Sequence, residues 1–176
     1  HTDRPIFNIQ RHRMQVVEMT KRVRELVAVL REQTGVYREL LTVAVRERDA
    51  VRRGGEESIR GLSTERERLQ RRLQPLEERR LRIVQALAPE CACRPEEVTV
   101  SRIAAGTSAE LRAQLLSCRD ELVEITERLR VENRRTALLL EHAGELLQAS
   151  YRVLRGMAAR CGPVYRRGGQ VQGVRL

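Results

Sequence analysis

The fold is decided by the stretch of residues 108–161, SAELRAQLLSCRDELVEITERLRVENRRTALLLEHAGELLQASYRVLRGMAARC. Its apolar residues recur every three or four positions, which is typical of a helix packed lengthwise against other helices. Flanking residues such as Leu116, Val123 and Leu140 widen this apolar face beyond a two-stranded seam. A broad face needs two neighbours, so we predict that this helix is the third member of a three-helix arrangement.

Two shorter stretches upstream show the same apolar spacing, one from Met19 to Val51 and one from Ile59 to Leu87. Gly54-Gly55 separates them and predicts a turn short enough to send the second helix back antiparallel to the first. Pro75 lies inside the second stretch, where it is expected to kink or interrupt the helix. The predicted fold is all-α: long antiparallel helices forming an elongated three-helix, coiled-coil-like bundle with a short connector helix.

The predicted boundaries follow from the break and cap residues. The long helices are expected at about 14–53, 56–88 and 108–161, with a short helix at about 101–105. Ser101 is the expected cap of the short helix, and Thr107 with Glu110 resembles a capping box before the third long helix. Residues 1–13 are predicted to be a flexible N-terminal extension and residues 162–176 a flexible, glycine-rich tail.

The composition argues against an enzyme. The chain has 176 residues, about one domain, of which 2% are aromatic and 33% charged. No serine has a convincing histidine and acidic partner, and the glycine pairs lack the strand and lysine of a phosphate loop. No catalytic residue is therefore predicted. Since no apolar run reaches the length of a membrane span and no signal-peptide core follows the N-terminus, a soluble, cytoplasmic protein is expected.

No metal or cofactor is predicted from the cysteines. Cys91 and Cys93 are separated by one residue, which is tighter than a zinc knuckle, and the three histidines are scattered. Cys118 and Cys161 fall on the apolar register and are expected to be small buried hydrophobic residues. A reducing compartment fits this usage best.

The formal net charge of +10 raises the question of nucleic-acid binding. Residues 1–22 and 162–176 each carry +3, which leaves only +4 for residues 23–161, where Arg and Glu alternate. A nucleic-acid site would gather the basic residues on one face or add stacking aromatic residues. The charges are therefore interpreted as a solvated helix surface, with no specific nucleic acid as partner.

Polar residues interrupt the apolar seams at a few positions, and two interpretations stay open. They lie near helix ends or rims, where long side chains reach water, or they fix the register of the helices. The first interpretation is favoured because several of these residues are Arg or Glu. The positions are Gln33, Arg66, Arg80, Glu132 and Thr136.

A series of short segments recurs along the chain in a characteristic order and spacing. The segments are LL at 40–41, ERDAV at 47–51, LSTER at 62–66, VTVSRIA at 98–104, ENR at 132–134, LLL at 138–140 and VYRRG at 164–168. Together they resemble the FlgN-type flagellar export chaperones, which serve the hook-associated proteins. The resemblance covers roughly residues 20–170. Pro75, the Gly-Gly turn and the extra N-terminal residues depart from the family's pattern.

The resemblance implies a type III export chaperone that binds hook-associated proteins in the cytoplasm, prevents their premature assembly and delivers them to the export apparatus. The alternatives are a structural coiled-coil protein that only self-associates and, with less support, a basic helical nucleic-acid-binding module. A homo-oligomer is compatible with any of the three. No membrane insertion is expected.

The client-binding surface is predicted on the C-terminal half of the third long helix. A helix-in-groove interaction needs a surplus of large apolar residues. For residues 111–140 an intramolecular core is favoured, because the first two helices can cover them. For residues 146–161 a core face and an exposed client surface are equally compatible with the sequence. The candidate residues are Leu146, Leu147, Tyr151, Leu154 and Met157.

Tyr165 is one of only four aromatic residues and lies outside every apolar seam. One interpretation is that its ring folds back onto the bundle as a lid. The other is that the tail docks on a partner, with Tyr165 as the anchor and Arg166 and Arg167 steering it. The resemblance makes the gate of the export apparatus a candidate for that partner.

Overall fold

The computed structural model describes residues 4–161, with side chains described for residues 16–157. Four α-helices make up almost all of this range, and it contains no β-strand. They are α1 (Arg4–Arg53), α2 (Glu56–Leu87), α3 (Val100–Ala105) and α4 (Ala109–Cys161), with a single 3₁₀ turn at Pro95–Glu97. The predicted all-α class is confirmed. The first long helix begins at Arg4 rather than near residue 14, and the tail at 162–176 lies outside the described residues.

The chain divides into two compact units, His1–Thr136 and Ala137–Leu176. Helix α4 contributes residues to both of them. None of the described helices is long and apolar enough to span a membrane.

The turn between α1 and α2 is built by the two glycines. Gly54 adopts a φ of +67°, a left-handed conformation that costs glycine far less than other residues. The amide of Gly54 donates to the carbonyl of Val51, and that of Gly55 donates to the carbonyl of Ala50. These two bonds form a Schellman motif, which satisfies carbonyls that the end of α1 would otherwise leave unpaired.

Ion pairs across the helices define their directions within the first unit. Going up the numbering of α1, Glu25 pairs with Arg79, Glu39 with Arg72 and Arg46 with Glu65, so α2 runs antiparallel to α1. Helix α4 runs parallel to α1 over residues 109–136. Two ion pairs show this, because the residue number increases along both helices from one pair to the next: Arg38 pairs with Glu121, and Arg48 pairs with Glu132.

The core of the first unit consists of two aliphatic clusters. One joins all four helices, and Val23, Leu87, Ile103 and Leu115 are almost completely buried in it. The other lies closer to the α1–α2 turn and joins α1 to α2 around Leu69. Aliphatic side chains fill both clusters, as the low aromatic content predicts.

Pro75 does not break α2. The helix is continuous from Glu56 to Leu87 with Pro75 inside it, so of the two expected effects, a kink or an interruption, the interruption does not occur. Proline lacks the amide that would bond to the preceding turn, so one helical hydrogen bond is missing. Residues that face the core lie on both sides of this point, Leu69 in one cluster and Ile83 in the other. Their burial holds the helix together across the missing bond.

The helix caps lie close to the predicted positions but on other residues. Thr99, not Ser101, caps α3, because its side chain accepts a bond from the amide of Arg102 at 3.2 Å. Ser108 accepts from the amide of Leu111 at 3.5 Å at the start of α4. Thr107, the predicted cap, instead donates its hydroxyl to backbone carbonyls.

Candidate protein-binding surface

The second unit exposes an apolar helix face. All five residues predicted to bind the client are exposed, with 59–71% of their full accessible surface open to solvent. Leu147, Tyr151 and Leu154 line a shallow depression on this face. We name the face the α4 surface and define it by Leu146, Leu147, Tyr151, Leu154 and Met157.

The exposed apolar region begins earlier along α4 than the sequence indicates. Residues 111–140 are expected to be core, and Leu111, Leu115, Cys118 and Ile125 are indeed buried. Four residues in this range are exposed, however, so the expectation is wrong for Val123, Val131, Leu138 and Leu140. The heptad pattern is the same on both sides of residue 136, and it therefore carries no signal of where burial stops.

Charged residues border the α4 surface. Arg152 lines the depression together with Leu147, Tyr151 and Leu154, and Arg155 follows Tyr151 by one helical turn. A partner covering this face would meet mainly hydrocarbon and the hydroxyl of Tyr151, with the two arginines at its edge. The gain from binding would therefore come mainly from apolar burial, which salt screens little.

A second exposed apolar groove lies in the first unit, between α1 and α4. Leu41 and Val45 form one side, and Val123 and Val131 the other. Its rim is charged, since Glu124, Glu127, Arg128 and Arg135 also line it. The apolar spacing does not predict this groove, because its residues lie just beside the apolar seam. It supplies a natural control for the α4 surface.

Four of the five polar residues in the seams take part in hydrogen-bonded networks between helices, whereas Thr136 donates only to the carbonyl of Glu132 within α4. Arg66 donates to Glu47 and, at 3.1 Å, to the Oδ1 atom of Asn133, so that it bridges α1, α2 and α4. Beside it, Arg48 of α1 pairs with Glu132 of α4. Interior hydrogen bonding explains these positions better than the favoured rim interpretation does.

A second network joins α1 and α2 around Gln33, which is buried. Its amide nitrogen donates to Glu77 at 2.9 Å, and Arg80 donates to the same carboxylate. The hydrogen bond from Arg80 holds the pKa of Glu77 below its ordinary value, with a further contribution from Gln33. Partial burial opposes this shift.

The cysteines of the described residues are free thiols. Cys118 is buried in the core, as predicted, and burial raises the pKa of the Cys91 thiol. No group of three or more potential metal ligands occurs within the part of the chain that the structure describes. Cys161, Tyr165, Arg166 and Arg167 have side chains outside that part, so the lid and anchor interpretations of Tyr165 both remain predictions.

The family model of FlgN, described as FlgN protein, matches residues 19–173 of the chain. The chain belongs to the FlgN family. Membership indicates a chaperone of flagellar assembly and export rather than an enzyme. Comparisons with curated proteins and with solved structures found no match. The FlgN match includes the whole α4 surface and the segment around Tyr165.

Proposed function

We propose that this FlgN-family protein is a cytoplasmic chaperone that uses the α4 surface to hold hook-associated proteins before their export. It keeps these clients from assembling prematurely and delivers them to the type III export apparatus. Family membership supports the chaperone class, and the resemblance of the sequence segments supports the clients.

One observation carries the choice of surface. The α4 surface combines five large exposed apolar side chains on one helix face, with Arg152 at the edge of its depression. Contiguous apolar patches on soluble proteins mark interaction sites. An amphipathic client helix would cover such a face by contacts at the i, i+3, i+4 and i+7 positions.

The experiment replaces two residues at the centre of the face, Leu147→Glu with Leu154→Glu. Burying one leucine is worth about 1.5–3 kcal/mol, so losing two weakens client binding by at least about 3 kcal/mol, or over 100-fold in Kd. Binding is measured by titrating purified hook-associated proteins, together with suppression of their aggregation. Because both leucines are exposed, helicity and the melting temperature stay close to those of the wild type.

The matched control is Val123→Glu with Val131→Glu, in the groove of the first unit. It introduces the same two charges on the same helix at exposed apolar positions. The proposal requires client binding to survive in the control and in moderate salt. If the control abolishes binding and the α4 variant does not, the client occupies the groove instead. Unfolding of the α4 variant would show that the leucines are core residues.

Self-association through the α4 surface is the main competing role, as for a structural coiled-coil protein. It predicts a stable, elongated oligomer whose size does not respond to added client. Sedimentation with and without client separates the two. A chaperone changes its complex when client is added and loses that response in the Leu147→Glu/Leu154→Glu variant.

Delivery is proposed to use a second element, the segment of Tyr165, Arg166 and Arg167. Tyr165 would anchor the chain on the export gate while the two arginines steer it, separately from the client surface. A Tyr165→Ala variant should weaken gate binding and leave client binding unchanged. A lowered melting temperature with both affinities intact would instead favour the lid.

A further inference from the structure

Three of the segments that carry the family resemblance meet at one level of the first unit. Glu47 and Arg48 come from the first, Arg66 from the second, and Glu132 and Asn133 from the third. The structure joins them through Arg66 to Glu47 and Asn133, and through Arg48 to Glu132. We name these five residues the polar layer.

The polar layer is largely removed from water. Glu47 is 8% exposed, and the Glu132 side chain retains 12% of its accessible surface. Arg66 is bound on two sides, since it pairs with both oxygens of Glu47 and also reaches Asn133. Such groups are strongly destabilising when a helix moves and leaves them without partners.

The apolar pattern of α4 does not by itself fix its register. Its buried positions repeat every seven residues, so a slip of one heptad would place Cys118 where Leu111 lies and Leu122 where Leu115 lies. The same slip would carry Glu132 to the buried position of Ile125. Arg48 and Arg66 would then face Leu139 and Leu140 instead of their hydrogen-bond partners.

We propose that the polar layer sets the register of α4 against α1 and α2. Polar residues at single seam positions have this role in coiled coils, where they reject registers that leave them unpaired. By fixing the register, the layer also determines which α4 residues enter the core and which remain exposed beyond it. The role is independent of the client and goes beyond the proposed function.

The test moves the α4 part of the layer by one heptad without changing the composition. The exchange variant carries Glu132→Leu, Asn133→Leu, Leu139→Glu and Leu140→Asn. If the layer sets the register, α4 follows its polar residues and slides by seven positions, about 10 Å.

The register is measured by cross-linking, which does not involve the client. The side chains of Arg38 and Glu121 are 3.1 Å apart, so Arg38→Cys with Glu121→Cys reports the native register. Arg38→Cys with Arg128→Cys reports the slipped register. A short bismaleimide is used after the four native cysteines have been replaced.

With the native layer, the cross-link between positions 38 and 121 should predominate. In the exchange variant, the cross-link between positions 38 and 128 should form in at least tenfold higher yield than that between 38 and 121. Retention of the native cross-link in a folded exchange variant overturns the proposal. It would show that the short α3–α4 connection sets the register.

A second variant keeps the test decisive if the exchange variant does not fold. Glu132→Leu with Asn133→Leu removes the α4 part of the layer, while Arg66 keeps Glu47 and Arg48 keeps Asp49 as partners. The proposal predicts both cross-links in this variant, since neither register is then excluded. A native cross-link alone would refute it.

Discussion

The stability effects of truncating two leucines on α4 should distinguish its buried part from its exposed part. Leu115 is fully buried in the cluster that joins all four helices, whereas Leu147 is 71% exposed. Leu115→Ala and Leu147→Ala remove the same atoms from the same helix, and the change in helix propensity is equal in both. Any difference in stability therefore reports the packing of the two side chains.

The expected costs differ several-fold. Truncating a buried leucine costs about 3 kcal/mol, because the transfer energy and the cavity both count. For a domain of this size that corresponds to a fall in Tm of roughly 6–12 °C. Leu147→Ala should change the free energy of unfolding by no more than about 0.5 kcal/mol, as is usual at exposed positions.

Urea unfolding followed by circular dichroism at 222 nm measures both variants at several protein concentrations. The midpoint should move for Leu115→Ala and stay for Leu147→Ala, with the slope unchanged in both. Equal losses at the two positions would refute the assignment of Leu147 to an exposed surface. A loss for Leu147→Ala that grows with protein concentration would instead show that a second copy covers it.

Three smaller changes test individual features of the helices. Gly54→Ala should cost about 1 kcal/mol because alanine resists a φ of +67°, whereas Gly55→Ala, with ordinary contacts for its Cβ, should be nearly neutral in the same thermal melts. Pro75→Ala restores a helical hydrogen bond and should raise stability by about 1–3 kcal/mol, which a higher urea midpoint would show and a lower one would contradict. Glu77→Gln should reduce the loss in the free energy of unfolding that accompanies a fall to acid pH. The lowered pKa of Glu77 contributes stability above the unfolded-state pKa, and this is lost as the pH falls through the folded-state value. An unchanged loss at acid pH would show that Arg80 does not stabilise the carboxylate.

The sequence predicts the helices well because their signals are local. Seven-residue apolar spacing predicts α4, and Gly54-Gly55 predicts the turn after α1. Pro75 leaves a kink and an interruption equally open by local rules, and burial of residues on both sides of it keeps α2 continuous. The capping-box pattern selects Thr107, which has Glu110 three residues later, and passes over Ser108, which has Leu111 at that distance.

The sequence predicts the candidate surface only in part, because the burial of a side chain depends on which other helices pack against it. Leu138 and Leu140 flank the seam residue Leu139 just as Leu116 flanks Leu115, yet they are about half exposed. The polar layer was missed as a unit for a related reason. Arg66 and Glu132 stood out as seam interruptions, but their partners Glu47, Arg48 and Asn133 lie on other helices or beside the seam.

Hydrogen exchange of the full chain, with and without a bound hook-associated protein, tests the central claim most directly. Peptides that cover the α4 surface, residues 146–157, should exchange more slowly in the complex, because a bound client helix stabilises the helix it covers. Peptides that contain Val123 and Val131 should exchange at the same rate in both states. Protection confined to the groove of the first unit, with none at residues 146–157, would contradict the account.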